Sequence, residues 1–325
     1  MRTFVIRRLL ALIPLLLVVT FLTQALLVAS PGNYVDRMRE GRQFSEEFIQ
    51  QLTRQYHLET ENVFVRYWYW LGQTLQGNFG YSFAYKISVW SLLWQRTLNT
   101  LLLAIASLLI SWGLAIPLGM LAAVKRDTWV DKLAGIFSFA GLSIPSVFFS
   151  LLMLLFASKT GLFPIGDIHD QVYWGNFSPL QKLGDVLWHL VLPSMVLGLI
   201  GTAQFMRQMR SQTIEVLSQD YIRTAKAKGL SPSRILFRHA FSNAVNPIVT
   251  LFGFSLAFLL AGAVLTETVF SWPGMGRLTV DALINKDEPL IMASVVLLTV
   301  MLAFGSLASD ILLAVIDPRI RLDGN

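Results

Sequence analysis

The chain has 325 residues, 54% of them hydrophobic and only 14% charged, against roughly 25% charged in an ordinary soluble domain. With a mean hydropathy of +0.57 and several apolar runs long enough to cross a hydrocarbon core of about 30 Å, a soluble domain is excluded and a polytopic membrane protein is expected. No cysteine is present, which removes disulfides and thiolate metal sites. The net charge of +6 comes mostly from Lys and Arg beside apolar runs, so membrane flanks rather than nucleic acid account for it.

Six runs reach the ~20 residues that a crossing helix needs: residues 9–29, 98–124, 133–157, 186–206, 244–270 and 290–316. Backbone polar groups in lipid must be satisfied internally, and these runs are far too long for barrel strands, so the predicted fold is all-α with six transmembrane helices. Lys and Arg number three before the first run, three between the second and third, seven between the fourth and fifth, and two in the tail. The opposite side carries two in each of its short connections; its long first connection holds seven cations nearly balanced by six acids and exceeds the length over which the positive-inside rule counts. The bias places residues 1–8, 207–243 and 317–325 in the cytoplasm and residues 30–97 outside. Arg2, Arg7 and Arg8 resemble the basic start of a signal peptide, but the apolar run continues to Ala29 with no A-x-A site, which favours an uncleaved helix.

In the outer segment, Ser45-Glu46-Glu47 ahead of Phe48, Ile49, Leu52 and Tyr56 predicts a capped amphipathic helix. A second helix is expected over residues 63–75, where Tyr67-Trp68-Tyr69-Trp70 puts amphipathic rings on several faces, an aromatic belt at headgroup level.

Catalytic patterns are missing from the sequence. No Gly-Lys pair exists, so there is no G-x-x-x-x-G-K-[ST] loop for nucleotide phosphates. His57, His169, His189 and His239 lie far apart, with no H-x-x-x-H spacing, and no G-x-S-x-G elbow occurs. His189 reads as an interface or core histidine. Glu267 and Asp310 are the two acids within runs, both near an end; such placement favours structural pairing over the midplane proton relay of a secondary carrier.

Residues 207–243 carry seven cations and two acids. Asp220 can cap a helix running from Tyr221 to Lys228 and closed by Gly229, and Ser231-Pro232 starts the next. An eight-residue helix is about 12 Å long and marginal alone in water, so it must dock. Ile222, Ala225 and Ala227 offer a small packing surface beside the cations Arg223, Lys226 and Lys228. From these residues alone, a groove on a cytoplasmic partner and an anionic lipid surface suit the helix equally.

This segment, Tyr221-Ile-Arg-Thr-Ala-Lys-Ala-Lys-Gly-Leu230 with Arg234-Ile-Leu-Phe-Arg-His-Ala240, Asn243-Ala244 and Pro247, resembles the cytoplasmic loop of permease subunits in binding-protein-dependent ABC importers. Of that family's E-A-A-x3-G-x9-I-x-L-P pattern it keeps Ala225 and Gly229; Arg223 and Thr224 replace the Glu and first Ala, and His239 and Ser242 stand at the Ile and Pro. Those departures match the peptide and nickel branch. So do Ile6-Arg-Arg-Leu-Leu10 with Ile13-Pro14, Pro31-Gly32, Gly77-Asn-Phe-Gly80 with Ser82, Ser143-Ile-Pro145, Glu267-Thr-Val-Phe270, Pro273-Gly-Met-Gly276 and Asp317-Pro-Arg-Ile-Arg321; Ser306 stands where the branch commonly has Asn. The resemblance implies the type I ABC-importer permease fold and a B-type transmembrane subunit of a bacterial inner membrane transporter for oligopeptides, dipeptides or nickel. It implies a second related permease subunit, two ATPase subunits that use ATP and Mg, and an external substrate-binding protein, with no cofactor on this chain. Docking would fall to Asp220 as cap, Tyr221, Arg223, Ala225, Lys226 and Ala227 as surface, and Gly229 as stop. A secondary carrier or channel is the rival reading.

Overall fold

A computed structural model of the chain describes residues 2–30, 45–55, 60, 62–249, 251, 255–256, 259 and 263–316. Its architecture is all-α, and among the described residues the only β pairing is one isolated bridge between Tyr81 and Ser88. The helices are α1 (Arg2–Ala29), α2 (Glu46–Gln55), α3 (Val63–Leu75), α4 (Val89–Val124), α5 (Trp129–Ser143), α6 (Ser146–Thr160), α7 (Pro179–Leu217), α8 (Asp220–Ala227), α9 (Val264–Val269), α10 (Met275–Asn285) and α11 (Glu288–Ile316).

Local chemistry explains several boundaries. Asn62 Oδ1 accepts from the backbone N–H of Phe64 and Val65 and starts α3. Ser178 and Gln181 form a reciprocal capping box with Pro179 at the first turn of α7. Both helices expected in the outer segment are present, over Glu46–Gln55 and Val63–Leu75. Tyr67, however, is not a headgroup anchor: it is buried against α1, with its ring edge-on to Phe21 and its hydroxyl 3.0 Å from the Leu17 carbonyl. Trp68, on the other face, is exposed.

Among the described residues four helices are long and apolar enough to cross a membrane: Val5–Ala29, Val89–Val124, Pro179–Leu217 and Glu288–Leu312. The expected third span is two helices, α5 and α6, meeting at 102°. Ile144 precedes Pro145 and is extended, the backbone region that the proline ring favours for its predecessor, and the helix breaks there, although Pro14, Pro117 and Pro193 lie inside continuous helices. Of the expected fifth span, 244–270, only parts are described: α9 and a stretch to Val249 that follows a π-helical turn at Ile235–Ala240. Six continuous spans are therefore not what the described residues show. Pro31-Gly32, Tyr56 and the tail 317–325 lie outside them.

Packing centres on α4 and α7, the most extensive helix pairing. Their 36 and 39 residues give lengths of about 54 and 58 Å, well beyond the hydrocarbon thickness. Small residues let the two backbones approach: a Cβ on Gly119 would stand 2.7 Å from the Met206 carbonyl oxygen, and one on Gly198 2.8 Å from Ile110. Lipid offers no hydrophobic drive between helices, so such van der Waals closeness is what holds them. Buried Ala115, Phe205, Met206 and Met209 form the core beside this seam.

Candidate functional site

The basic connection after α7 is built from the helix inward. Near the end of α7, Arg210 grips Asp131 in two hydrogen bonds, Nε to Oδ1 at 2.5 Å and Nη2 to Oδ2 at 2.7 Å, while Asp131 Oδ2 also accepts from the Asp127 amide at 3.0 Å. A bidentate guanidinium–carboxylate pair fixes orientation as well as distance, so the start of α5 and the last turns of α7 are joined. Beyond them α7 ends at Leu217, and Ser218 Oγ returns to the Glu215 carbonyl at 2.6 Å.

Helix α8 begins one residue earlier than its sequence suggests. Gln219 occupies the N-cap position with extended backbone and no capping side chain, and Asp220 is the first helical residue. Asp220 is therefore no cap. Its carboxylate instead receives Arg223 Nη1 at 3.1 Å on the solvent side, where a negative group still favours the helix start. The expected stop is present in full: Gly229 has φ +72°, its N–H donates to the Lys226 carbonyl at 3.0 Å, and the Leu230 N–H donates to the Ala225 carbonyl at 3.3 Å. That is the paired 5→2 and 6→1 closure of a Schellman motif, with the left-handed residue where only glycine avoids the Cβ clash.

Packing then sorts the expected docking residues into two groups. Ile222 and Ala225 are buried with Ile235 beneath Leu217 and Leu230, so Ala225 serves the chain's own core rather than an outward surface. Tyr221, Arg223, Lys226, Ala227 and Lys228 remain exposed together. The Tyr221 hydroxyl also reaches the side chain of Asn243, at the threshold of the expected fifth span. One short helix is thus bound to α7 through Leu217 and to the next span through Tyr221 and Ile235, with a basic face left open.

The two intramembrane acids have structural partners. Glu267 is fully buried and accepts from Thr100 Oγ1 at 2.8 Å and from the Arg277 N–H at 3.0 Å, while Thr100 Oγ1 accepts from the Met275 N–H at 2.8 Å. Together they satisfy the free amides at the start of α10, a capping service delivered from another helix. Asp310 pairs with Arg8 at 2.5 Å, tying α11 to α1.

Three further anchors were not legible in the sequence. Arg66 of α3 pairs with Glu288 at the start of α11, and Gln24 Nε2 donates to the same carboxylate at 2.8 Å. Asp287 is fully buried, accepting from Ser82 Oγ at 2.6 Å and the Ala84 N–H at 3.0 Å. Burial pushes its carboxyl above the ordinary aspartate range, with the Ala84 and Ser82 hydrogen bonds pulling the other way. His189 is a helix histidine turned back on the Asp185 carbonyl at 2.9 Å. Among the described residues no group of three His, Asp or Glu side chains comes together as a metal site.

An all-α fold with close-packed apolar helices of span length and a short basic helix locked to their ends is the architecture of a polytopic membrane protein. The chain belongs to the binding-protein-dependent transport system inner membrane component family, whose model matches residues 115–322, while the model of the family's N-terminal region matches residues 1–104. It is 37% identical over 323 residues to the oligopeptide transport system permease protein AppB of Bacillus subtilis, covering 99% of this chain and all of that one. It is 36% identical to the dipeptide transport system permease protein DppB of Escherichia coli K12, covering 99% of both. Among solved structures it resembles the MetNI methionine ABC transporter in an inward-facing conformation, with a TM-score of 0.54 and 17% identity, over 70% of this chain and 96% of that one. At that identity the likeness concerns the fold.

Proposed function

We propose that this chain is the transmembrane permease subunit of an ATP-driven importer of peptides, of the dipeptide or oligopeptide class. The observation that carries the reading is end-to-end similarity to two peptide permeases, AppB and DppB, with no region of this chain left over. The exposed basic face of α8 is the element that would receive the motion of separate ATPase subunits. Because Ile222, Leu217 and Ile235 bind α8 to the helices on either side, and Arg210 binds α7 to α5 through Asp131, displacement of α8 would shift these spans as one body between two packings. The ATPase subunits would use ATP and Mg, a second related permease would complete the membrane path, and an extracytoplasmic binding protein would deliver substrate. Residues 1–8, 207–243 and 317–325 would face the cytoplasm, consistent with the cation bias.

Reconstituted alone, the chain is expected to hydrolyse no ATP, with turnover appearing on addition of the ATPase subunits and tripeptide uptake on further addition of the binding protein. Robust ATP turnover by the isolated chain would overturn the reading. Since the chain lacks cysteine, single cysteines at Ser45 and Ser231 report the orientation directly: a membrane-impermeant thiol reagent should label only the first in intact cells.

A further inference from the structure

The bend between α5 and α6 borders a cavity of about 660 Å³, within the size range of small-molecule sites. Its wall is apolar apart from six neutral polar side chains: Ser107 and Ser111 of α4, Ser146 at the start of α6, Gln204 of α7, Ser255 and Thr266. Among the described residues no charged side chain and no histidine lines it. Irregular backbone at membrane depth is tolerated only where protein buries it or a polar cavity receives it, and here Ser146 opens a helix whose N-cap, Pro145, supplies no side-chain hydrogen bond. Of the first turn of α6, Ser146 lines the cavity, at a helix start that leaves its amides without an intrahelical partner.

Two side chains point the same way independently. Gln204 is exposed on α7, three residues before Arg207, and has no hydrogen-bond partner among the described residues, so its amide is free to bond a ligand in the cavity it lines. Ser111 is almost completely buried and its Oγ has no partner; a Cβ on neighbouring Gly201 would lie 2.6 Å from that oxygen. Leu142 also lines a second cavity, of about 590 Å³, that continues to Lys132 and Arg207 at the basic end.

We propose that the cavity at this bend is a substrate subsite that takes the uncharged amide backbone of a peptide, with Gln204 and the hydroxyls of Ser111 and Ser146 as its hydrogen-bonding groups. Among the described residues the wall offers neutral hydrogen-bonding groups and none of the imidazole or carboxylate donors that bind a transition-metal ion directly. Neutral donors and acceptors that bond any peptide unit read no side chain, which suits passage of peptides of many sequences. The inference rests on the peptide-importer reading above.

The test uses the intact transporter, purified through a tag on this chain and reconstituted in liposomes. A tripeptide carrying benzoylphenylalanine is photolysed during turnover, labelled residues are mapped by mass spectrometry, and import of tri-alanine is followed separately. Label is expected within the bend and its facing turns of α4 and α7, suppressed by excess tri-alanine and unaffected by nickel chloride. Gln204→Leu should lower tri-alanine import at least fivefold while binding-protein-stimulated ATP hydrolysis stays within twofold, a split that general misfolding would not produce. Import with label only elsewhere, or wild-type import by Gln204→Leu, overturns the subsite alone. Failure of the wild-type complex to import tri-alanine overturns both the subsite and the peptide reading.

Discussion

Helices α8 and α3 are held in place by opposite means. At the basic end, α8 is shaped by contacts between near neighbours: Gly229 with Lys226, Leu230 with Ala225, Ile222 with Leu217. By contrast, helix α3 and the turn at Ser82 are held by partners some 200 residues away, Arg66 with Glu288 and Ser82 with Asp287. Local motifs let a segment move as a unit with its shape intact, which is what a transmitting element requires. Long-range buried polar pairs fix a segment to distant helices and resist such movement. Helix α3 is thus anchored to a distant helix, while α8 keeps a locally determined shape on spans that are themselves clamped through Arg210 and Asp131.

Breaking the anchor of α3 should produce the largest effect. Arg66 and Glu288 are both largely buried, and removing one partner strands the other's charge, at a cost of about 3 kcal/mol or more. Arg66→Met should therefore lower the thermal midpoint of the purified chain by several degrees, and Arg66→Met with Glu288→Leu should recover much of the loss. A double variant no better than the single would show that packing of the Arg66 stem, not the uncompensated charge, dominates.

Helix α8 should respond with less stability loss and more functional loss. Gly229 has open space around an added Cβ but sits at φ +72°, so Gly229→Ala should cost about 1 kcal/mol locally. Gly229→Val should do worse and misaim α8, while membrane insertion and protein level persist. Copurification of ATPase subunits should fall for Gly229→Val and fall less when Arg223, Lys226 and Lys228 are neutralised together. Full association in Gly229→Val would remove the docking role from this segment, and lipid-dependent loss only in the charge variant would favour the membrane-surface reading.

A finer test of the long-range anchors uses pH. The Asp287 carboxyl is raised by burial, so its neutral form is favoured in the folded chain; the associated stability is present at low pH and lost as pH rises through the raised value. The thermal midpoint should rise on moving from neutral to mildly acidic buffer, and Asp287→Asn should flatten that rise. An unchanged slope in the variant would assign the pH response to another group.

What the sequence revealed follows the same division between near and distant contacts. Helix α3, the closure at Gly229 and the capping at Ser178 depend on residues within a few positions of one another, and local chemistry identifies the first two directly. The Asp131–Arg210 clamp joins residues 79 apart in sequence, and nothing in either neighbourhood signals its partner. Ala225 looks like an outward docking residue because Leu217 and Ile235, which cover it, come from outside its helix. The third span breaks at Ile144–Pro145, but the hydrophobic run continues through the bend, and because Pro14, Pro117 and Pro193 lie inside continuous helices, a proline alone does not mark which run is broken.

The start of α8 gives the smallest and most discriminating effect. Asp is a favoured N-cap residue, and Asp220 precedes the apolar and small residues of the helix, so sequence chemistry places the cap there. The backbone places it at Gln219, whose ψ of 151° is extended and whose side chain makes no capping hydrogen bond. A capping residue lost to alanine costs about 1 kcal/mol; Asp220, exposed and paired with exposed Arg223, has only the helix dipole and a solvent-screened ion pair to lose. Asp220→Ala should therefore barely change amide hydrogen exchange across 220–227. Gln219→Ser should slow it, because a hydroxyl at the true cap can accept from the amide of Tyr221 or Ile222, two or three residues on, which α8 leaves without a capping side chain. If Asp220→Ala accelerated exchange severalfold while Gln219→Ser had no effect, the helix would begin at Tyr221 and Asp220 would be its cap after all.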